Sequence, residues 1–166
     1  TLYYDDLGRE TKRVFDLNGV RQTLDQTYNG VDALTQRTLK EGATLLRDET
    51  YDYDPRGRLE LYRCTGTQPP VDPYGQVISE QTFRFDALDN ITRVLTVSTS
   101  SQNLARYSYD TLDPTQLQKV TNSDTSHYPE EILLEYDADG NLTLDGQQRT
   151  LTYDALGRLM SVSVAD

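Results

Sequence analysis

The sequence predicts an all-β fold, an array of antiparallel β-hairpins forming a curved or spiral sheet with little helix. Three observations lead there. Aligned on an aromatic residue followed by Asp, one motif recurs six times in 166 residues, from Tyr4-Asp5, Tyr53-Asp54, Phe85-Asp86, Tyr109-Asp110, Tyr136-Asp137 and Tyr153-Asp154. An apolar residue stands two positions ahead of each aromatic (Leu2, Tyr51, Phe83, Tyr107, Leu134, Leu151), which places both on one face of a strand of period two. Turn chemistry then follows, with Asp first and, in four of the six, Gly fourth, the pattern of a type I turn whose Gly takes positive φ. A catalytic cluster is needed once, whereas a supersecondary unit that cannot bury its own apolar face is needed in many copies.

Along the chain, "YDDLGRE" keeps Asp5 and Gly8 but has Glu10 where Leu is expected, the mark of a poorly packed end. From there to Tyr53 the signal degrades: "FDLNGVR" retains Asp16 and Gly19, and "YNG" at 28–30 signals a turn. Residues 35–54 have a helix-compatible composition, yet Gly42 near the centre and Thr-rich flanks predict a hairpin. "YDPRGRL" supplies Tyr53, Asp54, Gly57 and Leu59, with Pro55 at the turn position that favours its fixed φ. "FDALDNI" supplies Phe85, Asp86 and Ile91 but puts Asp89 in the glycine position, and Tyr109-Asp110 is followed by Asp113-Pro114. These two turns are therefore expected to differ in geometry from the rest. "YDADGNL" (Tyr136, Asp137, Gly140, Leu142) and "YDALGRL" (Tyr153, Asp154, Gly157, Leu159) are complete.

Return strands carry apolar pairs three apart, Leu59/Tyr62, Ile91/Val94, Leu117/Val120 and Leu159/Val162. That odd spacing predicts a β-bulge between the two members. Spacings of 32, 24, 27 and 17 residues between successive aromatics from Tyr53 onward argue against a propeller, whose blades repeat every 40 to 45 or so. Arg158 has no evident task, and a neighbouring hairpin's Asp is its expected partner.

The length suits a single repeat segment spanning residues 1–166, with motifs clearest over 51–166 and degenerate over 1–50. With 36% hydrophobic residues and 12 Tyr among 15 aromatics, the core is expected to be lean and its hydroxyls to need partners. A net charge of −11 without a basic cluster argues against nucleic acid and anionic membranes as partners. No apolar run approaches the ~20 residues of a spanning helix, so membrane insertion by this segment is not expected. Cys64 is the one cysteine, which leaves no intrachain disulfide and says nothing of redox compartment. Unpaired strand edges predict self-association.

The motifs "YDPRGRL", "YDADGNL" and "YDALGRL" resemble the YD repeats of the Rhs family, found also in the C component of bacterial insecticidal toxin complexes and in teneurins. The stretch from 134 to 159 is similar in flavour to bacterial Rhs and toxin-C chains. The resemblance implies a β-sheet strip wound into a hollow shell around a C-terminal toxin or effector segment. It also implies the remainder of the shell, and a toxin-complex B-type component, as partners, and a secreted or cell-surface location. An aspartyl self-cleavage motif ends the repeat core in that family. Here "DPYGQ" (72–76) copies part of it, with Gln76 in place of Leu and further repeats beyond, and reads as a loop.

The remaining chemistry is sparse. Close carboxylates such as Asp52/Asp54 and Asp137/Asp139 are expected among 27 acids and read as solvated or turn-bonded groups. Counted from Asp137, an EF-hand loop would need Gly and Glu where Leu142 and Gln148 stand, so no metal site is read there. His127 sits in a polar loop, and no nucleophile elbow or phosphate-binding loop accompanies it. The sequence thus points to a non-catalytic structural segment without cofactor. The alternative is a carbohydrate-binding or cell-surface adhesion module, in which Tyr-rich sheet faces stack on sugars.

Overall fold

The computed structural model describes residues 1–164, and among them lie fifteen β-strands and no helix. In chain order they are β1 (Leu2–Tyr4), β2 (Glu10–Leu17), β3 (Val20–Tyr28), β4 (Leu34–Glu41), β5 (Thr44–Tyr53), β6 (Leu59–Thr65), β7 (Glu80–Phe85) and β8 (Ile91–Val97). There follow β9 (Gln102–Tyr109), β10 (Leu117–Thr121), β11 (Glu131–Leu133), β12 (Glu135–Tyr136), β13 (Leu142–Leu144), β14 (Arg149–Tyr153) and β15 (Leu159–Val164). Strands β1 to β11 form one sheet and β12 to β15 a second, each in sequence order. The registers given by the structure are antiparallel throughout, so each is a meander of hairpins as the motif spacing predicts. Two compact units can be drawn in the chain, Thr1–Phe83 with Leu95–Gln102, and Arg84–Val94 with residues from Asn103 onward.

The stretch with the weakest sequence signal is as regular as the rest. Leu17 faces Val20 across a two-residue loop in which Asn18 and Gly19 have φ of 56° and 83°, as a type I′ turn requires. "FDLNG" is therefore a plain two-residue hairpin and not a degenerate copy of the motif turn. Residues 35–54 form the β4–β5 hairpin, tightened at Gly42 with φ of 56°. Helix-compatible residues lose here because their apolar members can be buried only against neighbouring strands.

The expected bulge is present at Leu59/Tyr62, Leu117/Val120 and Leu159/Val162, and it recurs beyond them. In six hairpins the register slips by one residue directly after the motif, leaving Thr11, Thr35, Glu60, Gln118, Thr143 and Met160 as the extra residue. The slip puts residues three apart on one face: Leu59 lies opposite Tyr53, and Tyr62 opposite Tyr51.

Burial is thin, as the composition implies. Leu46, Tyr62, Cys64, Val94, Ala105, Val120 and Tyr128 are the buried apolar residues, and no described side chain is wholly shut off from solvent. Polar groups fill out the interior and each finds partners. Buried Asn103 donates to the Asn122 side-chain oxygen at 2.8 Å and accepts the amides of Ser123 and Asp124, pinning the loop that follows β10. Tyr51 and Tyr62 pack with ring centres 5.5 Å apart.

Candidate functional site

The repeated motif builds two devices, one inside each turn and one between hairpins. In the turn after Tyr153, the Asp154 amide donates to the Arg158 carbonyl at 3.0 Å, and the Gly157 amide returns to the Asp154 carbonyl at 3.0 Å. The Asp154 side chain closes the loop from within: Oδ1 accepts the amides of Leu156 (2.9 Å) and Arg158 (3.0 Å), and Oδ2 accepts Arg158 Nε at 2.8 Å. Gly157 has φ of 71°, and Gly8, Gly57 and Gly140 hold the same position at 78°, 79° and 82°. Side chains other than Gly adopt that region at a cost, which explains the fixed glycine.

Arg158 thus pairs with its own turn's Asp154 and not with a neighbouring hairpin's Asp, because four residues on, the tight turn folds its side chain back over the carboxylate. The same clamp joins Arg9 to Asp5 and Arg58 to Asp54, and Asn replaces Arg in Asn90 on Asp86 and Asn141 on Asp137. In Asp54, Asp137 and Asp154 the clamp side chain is the main influence holding the carboxyl below its ordinary value. In Asp5, Asp145 and Asp110 the main influence is a backbone amide, of Arg9, Arg149 and Asp113.

Of the two turns expected to differ, one does not. Asp89 takes the left-handed conformation at φ of 68° and donates its amide to Asp86 as a glycine would, at the longer distance of 3.4 Å. Asp tolerates that region better than most residues, so the turn keeps its form. The turn after Tyr109 does differ: two extra residues move the closing amide pair to Asp110 and Gln116, and Pro114 sits within the enlarged loop.

Three clamps escaped the sequence reading. Asn29 accepts the amides of Val31 and Ala33, with Asp32 at φ of 64° in the glycine position. Asp72 accepts the amides of Tyr74 and Gln76 within "DPYGQ", so that loop contains a full turn of this type between the bridged Val71 and Val77. Asp145 is buried and clamped by Arg149 at 2.6 Å. A search keyed to aromatic-Asp misses all three, since Asn replaces Asp in the first and Val71 or Leu144 replaces the aromatic in the others.

The second device explains the tyrosine. Tyr28 donates its hydroxyl to the Glu10 carbonyl (2.8 Å), Tyr53 to Leu34 (2.8 Å), Tyr109 to Ile91 (2.8 Å), Tyr136 to Leu117 (2.8 Å) and Tyr153 to Leu142 (3.0 Å). Every acceptor is the first residue of the return strand in the preceding motif hairpin. Each of these five tyrosines is therefore a staple onto the hairpin before it. Leu59 and Leu159 open return strands in the same way, while Tyr4 is exposed at the start of the sheet and Phe85 carries no hydroxyl. The hydroxyl whose partner the composition left open is bonded to backbone. Burial raises the ordinary ionisation range of Tyr53, Tyr109 and Tyr136, in keeping with rings seated on the sheet.

The main polar cluster outside the motif lies within the first unit. Buried Glu49 accepts Arg37 Nε at 2.7 Å and Nη2 at 3.0 Å, and the Tyr62 hydroxyl at 2.9 Å. Burial pushes the Glu49 carboxyl up, but the Arg37 and Tyr62 hydrogen bonds outweigh it and leave it below its ordinary value. Burial also pushes Tyr51 up to about 12. These groups line a shallow cavity of about 280 Å³ with Ile78 and Phe83. Its acid is neutralised by a bidentate Arg, so the cluster holds a satisfied ion pair and presents no poised base. His127 faces Asp124 at 2.8 Å in the loop after β10, and Cys64 is buried, which raises its thiol.

The RHS repeat family model matches residues 136–166. No curated protein sequence matches. Among solved structures, the crystal structure of TcdB2-TccC3-TEV superposes on all of this chain with a TM-score of 0.67 at 14% identity. The crystal structure of TcdB2-TccC3 without its hypervariable C-terminal region gives 0.67 over 98% of this chain at 17% identity. A mutant form of the Photorhabdus luminescens Tc holotoxin pore gives 0.66 over 100% at 14%. The chain spans 10% of the length of each of those chains. The sequence therefore matches the RHS repeat at residues 136–166, and the chain as a whole is similar in fold to part of the TcdB2-TccC3 structures.

Proposed function

We propose that this chain is a non-catalytic segment of a toxin-complex type Rhs shell, a piece of wall around an enclosed C-terminal toxin or effector polypeptide. The observation that carries the reading is the staple ladder, five tyrosine hydroxyls spent on backbone carbonyls between successive hairpins. Such an arrangement serves to hold a long sheet in register. The fold likeness to TcdB2-TccC3 over the full chain supports the same role. Its partners are then the rest of the shell, the enclosed polypeptide and a B-type component, and its location is secreted or at a cell surface. The staple ladder speaks against carbohydrate adhesion, because sugar binding by tyrosine needs hydroxyls and ring faces turned to a ligand.

Electron cryomicroscopy of the full-length gene product tests the reading. This sheet in the wall of a closed cavity holding additional polypeptide is the expected result. The sheet with both faces in solvent and no enclosed chain would overturn it. In a parallel sugar titration, saturable binding abolished by Tyr-to-Ala changes in a folded chain would favour the adhesion module.

A further inference from the structure

Two of the six asparagines, Asn18 and Asn29, precede a glycine. In that dipeptide the following backbone nitrogen reaches the asparagine side-chain carbon with least obstruction, because glycine brings no side chain to the attacking residue. Five of the six asparagine side chains are held. Asn29 Oδ1 accepts the amides of Val31 and Ala33, each at 3.0 Å. Asn90 and Asn141 donate to Asp86 and Asp137, Asn103 donates to Asn122, and Asn122 donates to the Pro129 carbonyl. Asn18 is exposed, and its side chain bonds no described residue.

Asn18 and Gly19 form the tip between β2 and β3, flanked by the exposed Leu17 and Val20. Nothing stands within 4 Å of where a Gly19 Cβ would lie, so the tip is open to water. The Gly19 amide donates to Asp16 Oδ1 at 2.9 Å. That N–H lies in the peptide plane, whereas the nitrogen attacks with electrons perpendicular to it. The carboxylate therefore leaves the attacking face clear and stands at the hydrogen that must be lost.

We propose that Asn18 is a self-modifying site, at which the Asn18-Gly19 link cyclises and is hydrolysed to aspartate and isoaspartate. The Gly19 nitrogen attacks Asn18 Cγ and a C–N bond forms. Attack makes that nitrogen acidic, and Asp16 takes its hydrogen and passes it to the departing amide, which leaves as ammonia. One water then opens the five-membered imide, at Cγ to give Asp or at the backbone carbonyl carbon to give isoaspartate, and nothing is oxidised or reduced. The Asp product keeps the turn, as Asp32 and Asp89 hold φ of 64° and 68° elsewhere in the chain. Isoaspartate lengthens the backbone by one carbon inside a two-residue turn and disrupts the Leu17–Val20 pairing. Asn29 is the internal comparison. Its side chain must first give up two hydrogen bonds, and its carbonyl is held by the Asp32 amide and by Arg9, so it reacts roughly 30-fold more slowly than Asn18 in the folded chain. The proposal does not depend on the shell reading.

Incubation of the folded 166-residue chain at neutral pH tests it, with peptide mapping by mass spectrometry and an isoaspartyl methyltransferase as the probe for isoaspartate. Product is expected at Asn18 roughly 30-fold faster than at Asn29, with the two rates converging once the chain is unfolded in urea. Asn18→Asp is expected to keep the far-UV circular dichroism of the wild type and to abolish most of the methylation. Asp16→Asn, which keeps an acceptor for the Gly19 amide but removes the base, is expected to slow the reaction at Asn18 several-fold and to leave that at Asn29 unchanged. An Asn18 that stays unmodified in the folded chain while it reacts in urea, or an Asn29 that reacts as fast in the folded chain, would overturn the proposal. A rate in Asp16→Asn equal to or above that of the wild type would overturn the part given to Asp16.

Discussion

Tyr53→Phe isolates the staple. The substitution keeps the ring on the sheet and removes only the hydroxyl that donates to the Leu34 carbonyl at 2.8 Å. A net intramolecular hydrogen bond contributes about 1 kcal/mol, and Leu34 at the strand start is reached by water, so no further penalty for an orphaned carbonyl is expected. With a urea slope of about 2 kcal/mol/M for a chain of this size, the unfolding midpoint should fall by roughly 0.5 M with the slope unchanged. Tyr28→Phe removes the staple to Glu10, two strands or about 10 Å away, so the double variant should lose about 2 kcal/mol. Tyr4→Phe is the control at micromolar concentration, since its hydroxyl bonds no described residue, and it should move the midpoint by less than about 0.2 M. The assay is urea denaturation followed by circular dichroism. Equal losses in Tyr4→Phe and Tyr53→Phe, or none in either, would show that the hydroxyls do not hold the hairpins together.

Three further outcomes follow from the same geometry. Gly57 has φ of 79° with open space where a Cβ would stand, so Gly57→Ala carries only the backbone cost of about 1 to 2 kcal/mol, read as a urea midpoint shift. Gly66→Ala should cost more, because its Cβ would run into the Leu46 carbonyl, and an equal loss at both positions would refute the distinction. Glu49→Gln should lose about 2 kcal/mol, less than a wholly buried pair because the Arg37 side chain is 37% exposed, whereas Glu80→Gln, in an exposed pair with Arg63, should stay within about 0.5. Glu49 and the clamp Asp residues have folded-state values below their ordinary 4.5 and 3.8. Their stabilisation is complete above those values and is lost as pH falls through the lower, folded ones. Urea midpoints should therefore be flat from pH 7 to about 5 and drop below about 4, and a drop already complete at pH 5 would contradict the assignment.

How far the sequence carries depends on where each interaction sits. The clamp joins residues within one turn, so Asp154, Gly157 and the bulge implied by Leu159 and Val162 could be read as local pattern. The staple joins residues 11 to 19 apart, and its acceptor is a carbonyl, which leaves no letter in the sequence. Tyr53 was recognisable, but Leu34 as its partner was not. Asn103 and the Arg37–Glu49 pair were invisible for the same reason, their partners being brought close only by strand register. The turn at Asp89 departs from expectation because an Asp can hold the φ that glycine supplies elsewhere.

The staple has a bearing on how such a chain changes over generations. Its acceptor is main chain, and the clamp's carboxylate is filled largely by amides of its own turn, so neither device asks for a matching side chain on the adjoining hairpin. So far as these two devices are concerned, a substitution in one hairpin needs no compensating change next door. One fold held by sequences only 14% identical is what such independence permits.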